Sequence, residues 1–129
     1  MSGYLLDTRA ALMALTDPAL LARRVRSAIL AGPNILSVVV FWEVALKSMK
    51  GTLQVGEPRT WWRDALDQLA ATPLPLRPEH IEGVCQLPPI HQDPFDRVLI
   101  AQAIIEDLAL VTIDGEIPKY ASKRLRVIQ

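Results

Sequence analysis

Short apolar runs that stop on a polar residue alternate with helical stretches along the whole chain, and this alternation constrains the fold more than any other feature. Tyr4-Leu5-Leu6 stops at Asp7. Ile35-Leu36 follows the Gly32-Pro33-Asn34 turn, and residues 109–113 form an apolar run that stops at Asp114-Gly115. Residues 125–128 supply a last strand, and the prolines of Pro73-Leu74-Pro75-Leu76 allow that stretch only an edge position. Between these runs the spacing predicts helices. Asp17-Pro18 opens one over residues 19–30, with proline at the first helical position. Ser37 caps a second, which runs to about Lys50 and stops at Gly51. Further helices are expected over residues 60–71 and 78–87, and Asp93-Pro94 opens another over residues 95–107. Strands that alternate with helices favour a parallel sheet covered on both faces, an α/β fold. With 129 residues, no repeat and no linker, the chain reads as one domain, 1–129.

Half of the residues are hydrophobic and only 5% are aromatic, so the core is aliphatic. A chain of this length buries such a core without covalent staples. The single cysteine, Cys85, excludes an internal disulfide framework, suits a reducing cytoplasm and is expected in the core. Asp7 interrupts the N-terminus before any apolar signal-peptide region develops. The longest apolar stretch, residues 28–42, is broken by Gly32, Pro33 and Asn34 and ends at Glu43, so no membrane partner is expected. Formal net charge is zero. A polyanion therefore has to be held by local patches or through bound cations. Arg23, Arg24 and Arg26 share a helix with Leu20, Leu21, Val25 and Ile29 and read as its wet face.

Four acids stand out of place. Asp7 and Asp114 each follow an apolar strand, so in one parallel sheet both emerge at the carboxyl edge, where ligands of such sheets bind. Each alone reads as a turn or capping residue; the pair points to a site. Glu43 lies in Val38-Val39-Val40-Phe41-Trp42-Glu43-Val44-Ala45-Leu46, a helix apolar nearly all round. A carboxylate there is costly unless paired or bound to a metal. Lys47, four residues on, is the pairing alternative. Asp93 is a helix cap, which leaves Asp96 in the first turn, where the helix dipole favours an acid and a cleft can receive it. Carboxylates that converge repel one another, and a divalent cation relieves this. All-oxygen ligands suit Mg²⁺ or Mn²⁺. Cys85, His80 and His91 lack zinc-ligand spacing, and His91 reads as a loop or capping residue.

Leu-Leu-Asp7-Thr8, the run from Ser37 to Lys47, the run from Leu87 through His91-Gln-Asp93-Pro-Phe-Asp96 to Ala103, and Leu110-Val-Thr112-Ile-Asp114 resemble the PIN-domain family. More narrowly, they resemble the VapC-type toxins of bacterial toxin–antitoxin pairs. The motifs occur in family order over nearly the whole chain, and the segment from His91 to Ala103 is the most specific. The resemblance implies a five-stranded parallel sheet between helices, Mg²⁺ or Mn²⁺ dependence and endonucleolytic cleavage of RNA. It also implies a homodimer and a protein antitoxin that blocks the site. Carried over by motif, the family's acids fall on Asp7, Glu43, Asp96 and Asp114, as catalytic residues and metal ligands. Asp7 is implied as a direct ligand, Asp96 or Asp114 as completing the sphere, and Glu43 as a ligand or the holder of a water. Thr8 and Thr112 match its small hydroxyl positions. Arg9 departs from the pattern, which has a short polar residue or histidine after Asp-Thr.

Arg9, Lys47, Arg97 and Lys119 lie near the acid motifs and are candidate phosphate contacts. Trp61 and Trp62 are adjacent on a helix, so one of them is a candidate exposed interface residue. Two other classes stay open: a non-catalytic interaction module in which the acids are caps and ion-pair partners, and a carboxylate-based phosphatase or DNA nuclease on a similar sheet.

Overall fold

The computed structural model describes residues 3–89, 93–115, 117–122 and 124–129. His91 and Gln92, from the most specific sequence run, lie outside the described residues. The elements are β1 (Tyr4–Leu6), α1 (Thr8–Thr16), α2 (Arg23–Ala31), β2 (Asn34–Ser37), α3 (Val38–Met49), α4 (Pro58–Gln68), β3 (Ala71–Leu74), α5 (Pro78–Cys85), α6 (Pro94–Ile105), β4 (Ala109–Val111) and β5 (Val127–Ile128). Short 3₁₀ turns span Pro18–Leu20 and Ile117–Tyr120.

All strand pairs are parallel, in the order β3-β2-β1-β4-β5. The fold is the expected α/β domain with a five-stranded parallel sheet. Adjacent strand residues point to opposite faces, and this divides the core. Leu5, Ile35 and Leu110 pack with Val39, Val40 and Val44 of α3 and Val98, Leu99 and Ile100 of α6. Leu6, Leu36 and Val111 pack on the other side with Ala10 and Ala11 of α1, Val25 and Ala28 of α2 and Ala65 of α4. With both faces covered, the central strands contain only apolar residues at these positions. β3 carries Pro73 and takes the edge, where a missing N–H costs no ladder bond.

Local chemistry explains the boundaries. Ser37 Oγ accepts from the Val39 N–H at 3.0 Å and starts α3 without a loop after β2. Asp93 Oδ1 accepts from the Phe95 N–H at 2.9 Å and starts α6. Gly32 ends α2 at φ +60°, a conformation that favours glycine. His80 is fully buried and joins α5 to α6. Its Nδ1 accepts from the Arg77 N–H at 3.0 Å, which leaves Nε2 to donate to Glu106 Oε2 at 2.9 Å.

Several expectations are corrected. The helix expected over 19–30 is broken: a 3₁₀ turn, Pro18–Leu20, precedes an extended Leu21, and α2 begins only at Arg23. Leu21 thereby reaches the core while Leu20 is exposed, and Asp17 makes no side-chain cap bond. α1 was not expected, because Asp7 reads as the end of a strand although it also caps the helix that follows. α4 begins at Pro58, behind a Glu57 cap, rather than at Thr60. Cys85 is exposed, because the inward stripe of α5 runs through His80, Gly83 and Val84 and leaves Cys85 on the outside. Trp61 and Trp62 are both half-buried, and Trp62 stacks on Phe41 at 5.1 Å with nearly parallel rings. The exposed tryptophan is Trp42, at 53%.

Candidate active site

The strand order reverses between β1 and β4: β2 and β3 lie to one side of β1, β4 and β5 to the other. Chain leaving the carboxyl ends of two such strands diverges and opens a crevice, the usual ligand position in open parallel sheets. Asp7 follows β1 and Thr112 follows β4 at this point. The Asp7 N–H bonds the Val111 carbonyl at 2.9 Å, and the Thr112 N–H bonds the Ile128 carbonyl at 3.0 Å. The ladder thus continues one residue past β1 and β4 and sets both side chains rigidly at the edge.

Asp7 is 2% exposed. Its Oδ1 accepts from the Ala10 N–H at 2.8 Å, and its Oδ2 accepts from the Thr112 hydroxyl. The capping role and the site role therefore fall on the same carboxylate. Burial raises its pKa from 3.8 to about 6, against the lowering effect of the Thr112 and Ala10 hydrogen bonds; Asp114 raises it further, and Arg9 lowers it. Thr112 Oγ1 also accepts from the Asp114 N–H at 2.9 Å, so one buried hydroxyl holds the Asp7 carboxylate and the Asp114 backbone.

Glu43 is 4% exposed, as the apolar surroundings of α3 require. Both of its oxygens have partners. Thr8 donates to Oε1 at 2.6 Å, and Lys47 Nζ stands 2.7 Å from Oε2. Thr8 is chain-adjacent to Asp7, so the two hydroxyls bring Asp7, Glu43 and Asp114 into one linked set. Asp96 lies on a separate element, in the first turn of α6, at 9% exposure. Asp93 spends an oxygen on the backbone N–H groups of Phe95 and Asp96, the capping role assigned to it from sequence.

Among the described residues, no three His, Cys, Asp or Glu side chains close around one ion-sized position. The donor set nevertheless fits a hard cation: it is all oxygen, and Asp7 carries a buried charge that two hydrogen bonds leave under-compensated. A groove of about 540 Å³ is lined by Leu12, Leu15, Val55 and Trp61 and by none of the four acids. A smaller cleft of about 240 Å³, lined by Arg9, Leu12, Met13, Thr16 and Ile113, adjoins them through Arg9 and Ile113.

Among the candidate cations, Arg9 is exposed beside Asp7, and Lys47 is committed to Glu43. Arg97 directs its guanidinium to the carbonyls of Pro88 and Val84, at 3.1 and 3.2 Å, and so fastens the end of α5 to α6. Sequence reasoning missed one pair. Trp42 meets Phe95 edge-to-face at 5.0 Å, and each ring immediately precedes an acid, Glu43 or Asp96. The contact fixes α3 against α6. The position of both rings directly before the acids was the only sign of it in the sequence.

The chain matches the PIN domain over residues 4–123, a span that holds all four acids. No curated protein matches it. Among solved structures, it is similar to the VapBC2 complex from Rickettsia felis bound to a DNA fragment from their promoter, with TM-score 0.69, 15% identity and 100% of both chains covered. DNA-bound VapBC from Salmonella typhimurium gives TM-score 0.68 at 14% identity, covering 98% of this chain and 97% of that one. VapBC-5 from Mycobacterium tuberculosis, of the VapBC family of toxin-antitoxin systems, gives TM-score 0.60 at 20% identity, covering 99% and 98%. These structures share the fold at low identity. From the domain match, which spans nearly the whole chain, and the common sheet, the chain belongs to the PIN-domain family.

Proposed function

We propose that this chain is a Mg²⁺- or Mn²⁺-dependent endoribonuclease and the toxin of a toxin–antitoxin pair. The observation that carries the reading is the buried acid edge: Asp7 and Glu43, each oriented by a threonine, at the reversal point of a parallel sheet. Asp7, Asp114, Asp96 and Glu43 are the residues that would hold the metal. When bound, the metal supplies activation of a water and neutralisation of charge on the scissile phosphodiester. Thr112 aims the Asp7 carboxylate and the Asp114 backbone; Thr8 aims Glu43. Lys47 pairs with Glu43 and offsets a carboxylate buried inside an apolar helix layer. Arg9, exposed at the adjoining cleft, is the phosphate contact nearest the acids. RNA as the substrate, and an antitoxin as the partner, draw on the likeness to the VapBC structures and on the motif order.

The reading extends to a homodimer. Trp61 and Trp62 are half-buried, with Trp62 stacked on Phe41, and lend it little support; exposed Trp42 and Met49, a heptad apart on α3, are apolar surface for a second copy. A non-catalytic interaction module remains the competitor, favoured by the Lys47 pairing that already compensates Glu43. Sequencing of RNA 5′ ends after induced expression, beside an Asp96→Asn control, separates the two. New ends that recur at defined positions and vanish in the control are expected. Identical end profiles from both chains would favour the module.

A further inference from the structure

Arg23, Arg24 and Arg26 sit within the first four positions of α2, and all three are exposed. Arg23 and Arg26 face away from Val25 and Ala28, the buried residues of that helix, and Arg24, four residues before Ala28, lies on the flank. No acid occurs in the sequence between Asp17 and Glu43. Among the described residues, none of the three makes an ion pair, whereas Lys47, Arg59, Arg77 and Arg126 all do. Their place in the helix is also electrostatically unfavourable. Cations at a helix N-terminus oppose the macrodipole, and the preceding Ala22 offers no side-chain oxygen to cap the first turn. Three unpaired charges at the wrong end of an uncapped helix weaken α2 and serve nothing in its packing.

They do meet the need that zero net charge creates. A neutral chain holds a polyanion only where charge is locally concentrated. Beside them lies a largely apolar hollow of about 280 Å³, lined by Pro18, Leu21, Arg26, Ile29 and Leu30 among others. Leu30 is 87% exposed on the arginine side of the helix. Phosphate contacts next to an apolar hollow, with a guanidinium in its wall, suit a single strand with unstacked bases better than an acidic peptide. α2 packs against β5, whose Ile128 carbonyl receives the Thr112 N–H, so the helix that carries the arginines lies beside the strand next to the acid edge.

We infer that the Arg23–Arg24–Arg26 face of α2 is a phosphate-binding surface that holds single-stranded RNA outside the acid site. The inference rests on the ribonuclease reading. Its test uses the full chain carrying Asp7→Asn, so that RNA stays intact, and follows anisotropy of a labelled, unstructured single-stranded RNA over a range of salt. Replacement of all three arginines by glutamine should weaken binding about tenfold at low salt and reduce the log–log salt slope by about 2, at roughly 0.7 per single-strand phosphate contact. The same replacement should leave the melting temperature unchanged or higher, since it removes charges that oppose the helix dipole. A triple lysine variant should keep most of the salt slope. Unchanged affinity and slope in the glutamine variant would overturn the inference and leave the ribonuclease reading intact. Competition by polyglutamate as effective as by RNA would overturn it in favour of an acidic protein partner. No RNA binding by the Asp7→Asn parent would sink both readings together.

Discussion

The Asp7 carboxylate shows how a single residue can be costly to the fold and useful to a site. Burial raises its pKa to about 6, although Ala10 and Thr112 both donate to it. The unfolded chain releases this proton near 3.8 and the metal-free folded chain near 6. Between those values the folded state holds more protons, so stability falls as pH rises through the window, and the full penalty persists above it. A shift of that size corresponds to about 3 kcal/mol. Asp7→Asn removes the penalty but disturbs the Thr112 hydrogen bond, worth about 1 kcal/mol. At pH 7 the metal-free variant should therefore be more stable by about 2 kcal/mol, and near pH 3.5, where the penalty is gone and the lost hydrogen bond remains, it should be less stable than the parent by about 1 kcal/mol. Urea melts at the two pH values check this; an asparagine variant less stable than the parent at pH 7 would show that the carboxylate is not strained by burial. Sequence reasoning identified Asp7, Glu43 and Asp114 because an acid after an apolar run, or inside an apolar helix, is conspicuous. The Glu43–Lys47 pair was legible from its four-residue spacing, whereas the Thr8 bond to the other Glu43 oxygen and the under-compensation of Asp7 depend on side-chain geometry.

At the scale of elements, the caps were the most legible part of the sequence. Ser37 and Asp93 start α3 and α6 as expected, because a short oxygen-bearing side chain before an apolar run has few other uses. Asp93 holds the first turn that carries Asp96. Asp93→Ala should cost about 1 kcal/mol of stability, and because the turn frays where Asp96 is presented, RNA cleavage should fall more steeply than stability. Thermal melts and cleavage rates on the same preparation test this; equal activity at reduced stability would confine Asp93 to the fold. α1 was hidden because Asp7 does two jobs and reads as only one of them. The Trp42–Phe95 contact joins residues far apart in sequence, and no periodicity within either helix reveals such a pairing.

The whole molecule is legible as a parallel α/β sheet because buried parallel strands are continuous apolar runs and Ser37 and Asp93 mark the starts of α3 and α6. Strand order is less legible: it depends on which helix covers which face, and that follows from packing between Leu5, Ile35 and Leu110 on one side and Leu6, Leu36 and Val111 on the other. The order matters for function, since it is the reversal between β1 and β4 that brings Asp7 and Asp114 to one crevice. Among the described residues no helix is long and apolar enough to cross a membrane. Light scattering of the purified chain should report a dimer, twice the 14.3 kDa of one copy; a monomer at micromolar concentration would remove the second copy from the account. The central claim is tested most directly by incubating purified protein with a labelled RNA in Mg²⁺ or Mn²⁺. Cleavage by the parent chain, arrest by EDTA with recovery on added metal, and no cleavage by a folded Asp7→Asn variant are expected. Cleavage that continues undiminished in EDTA, or in that variant, would contradict the claim.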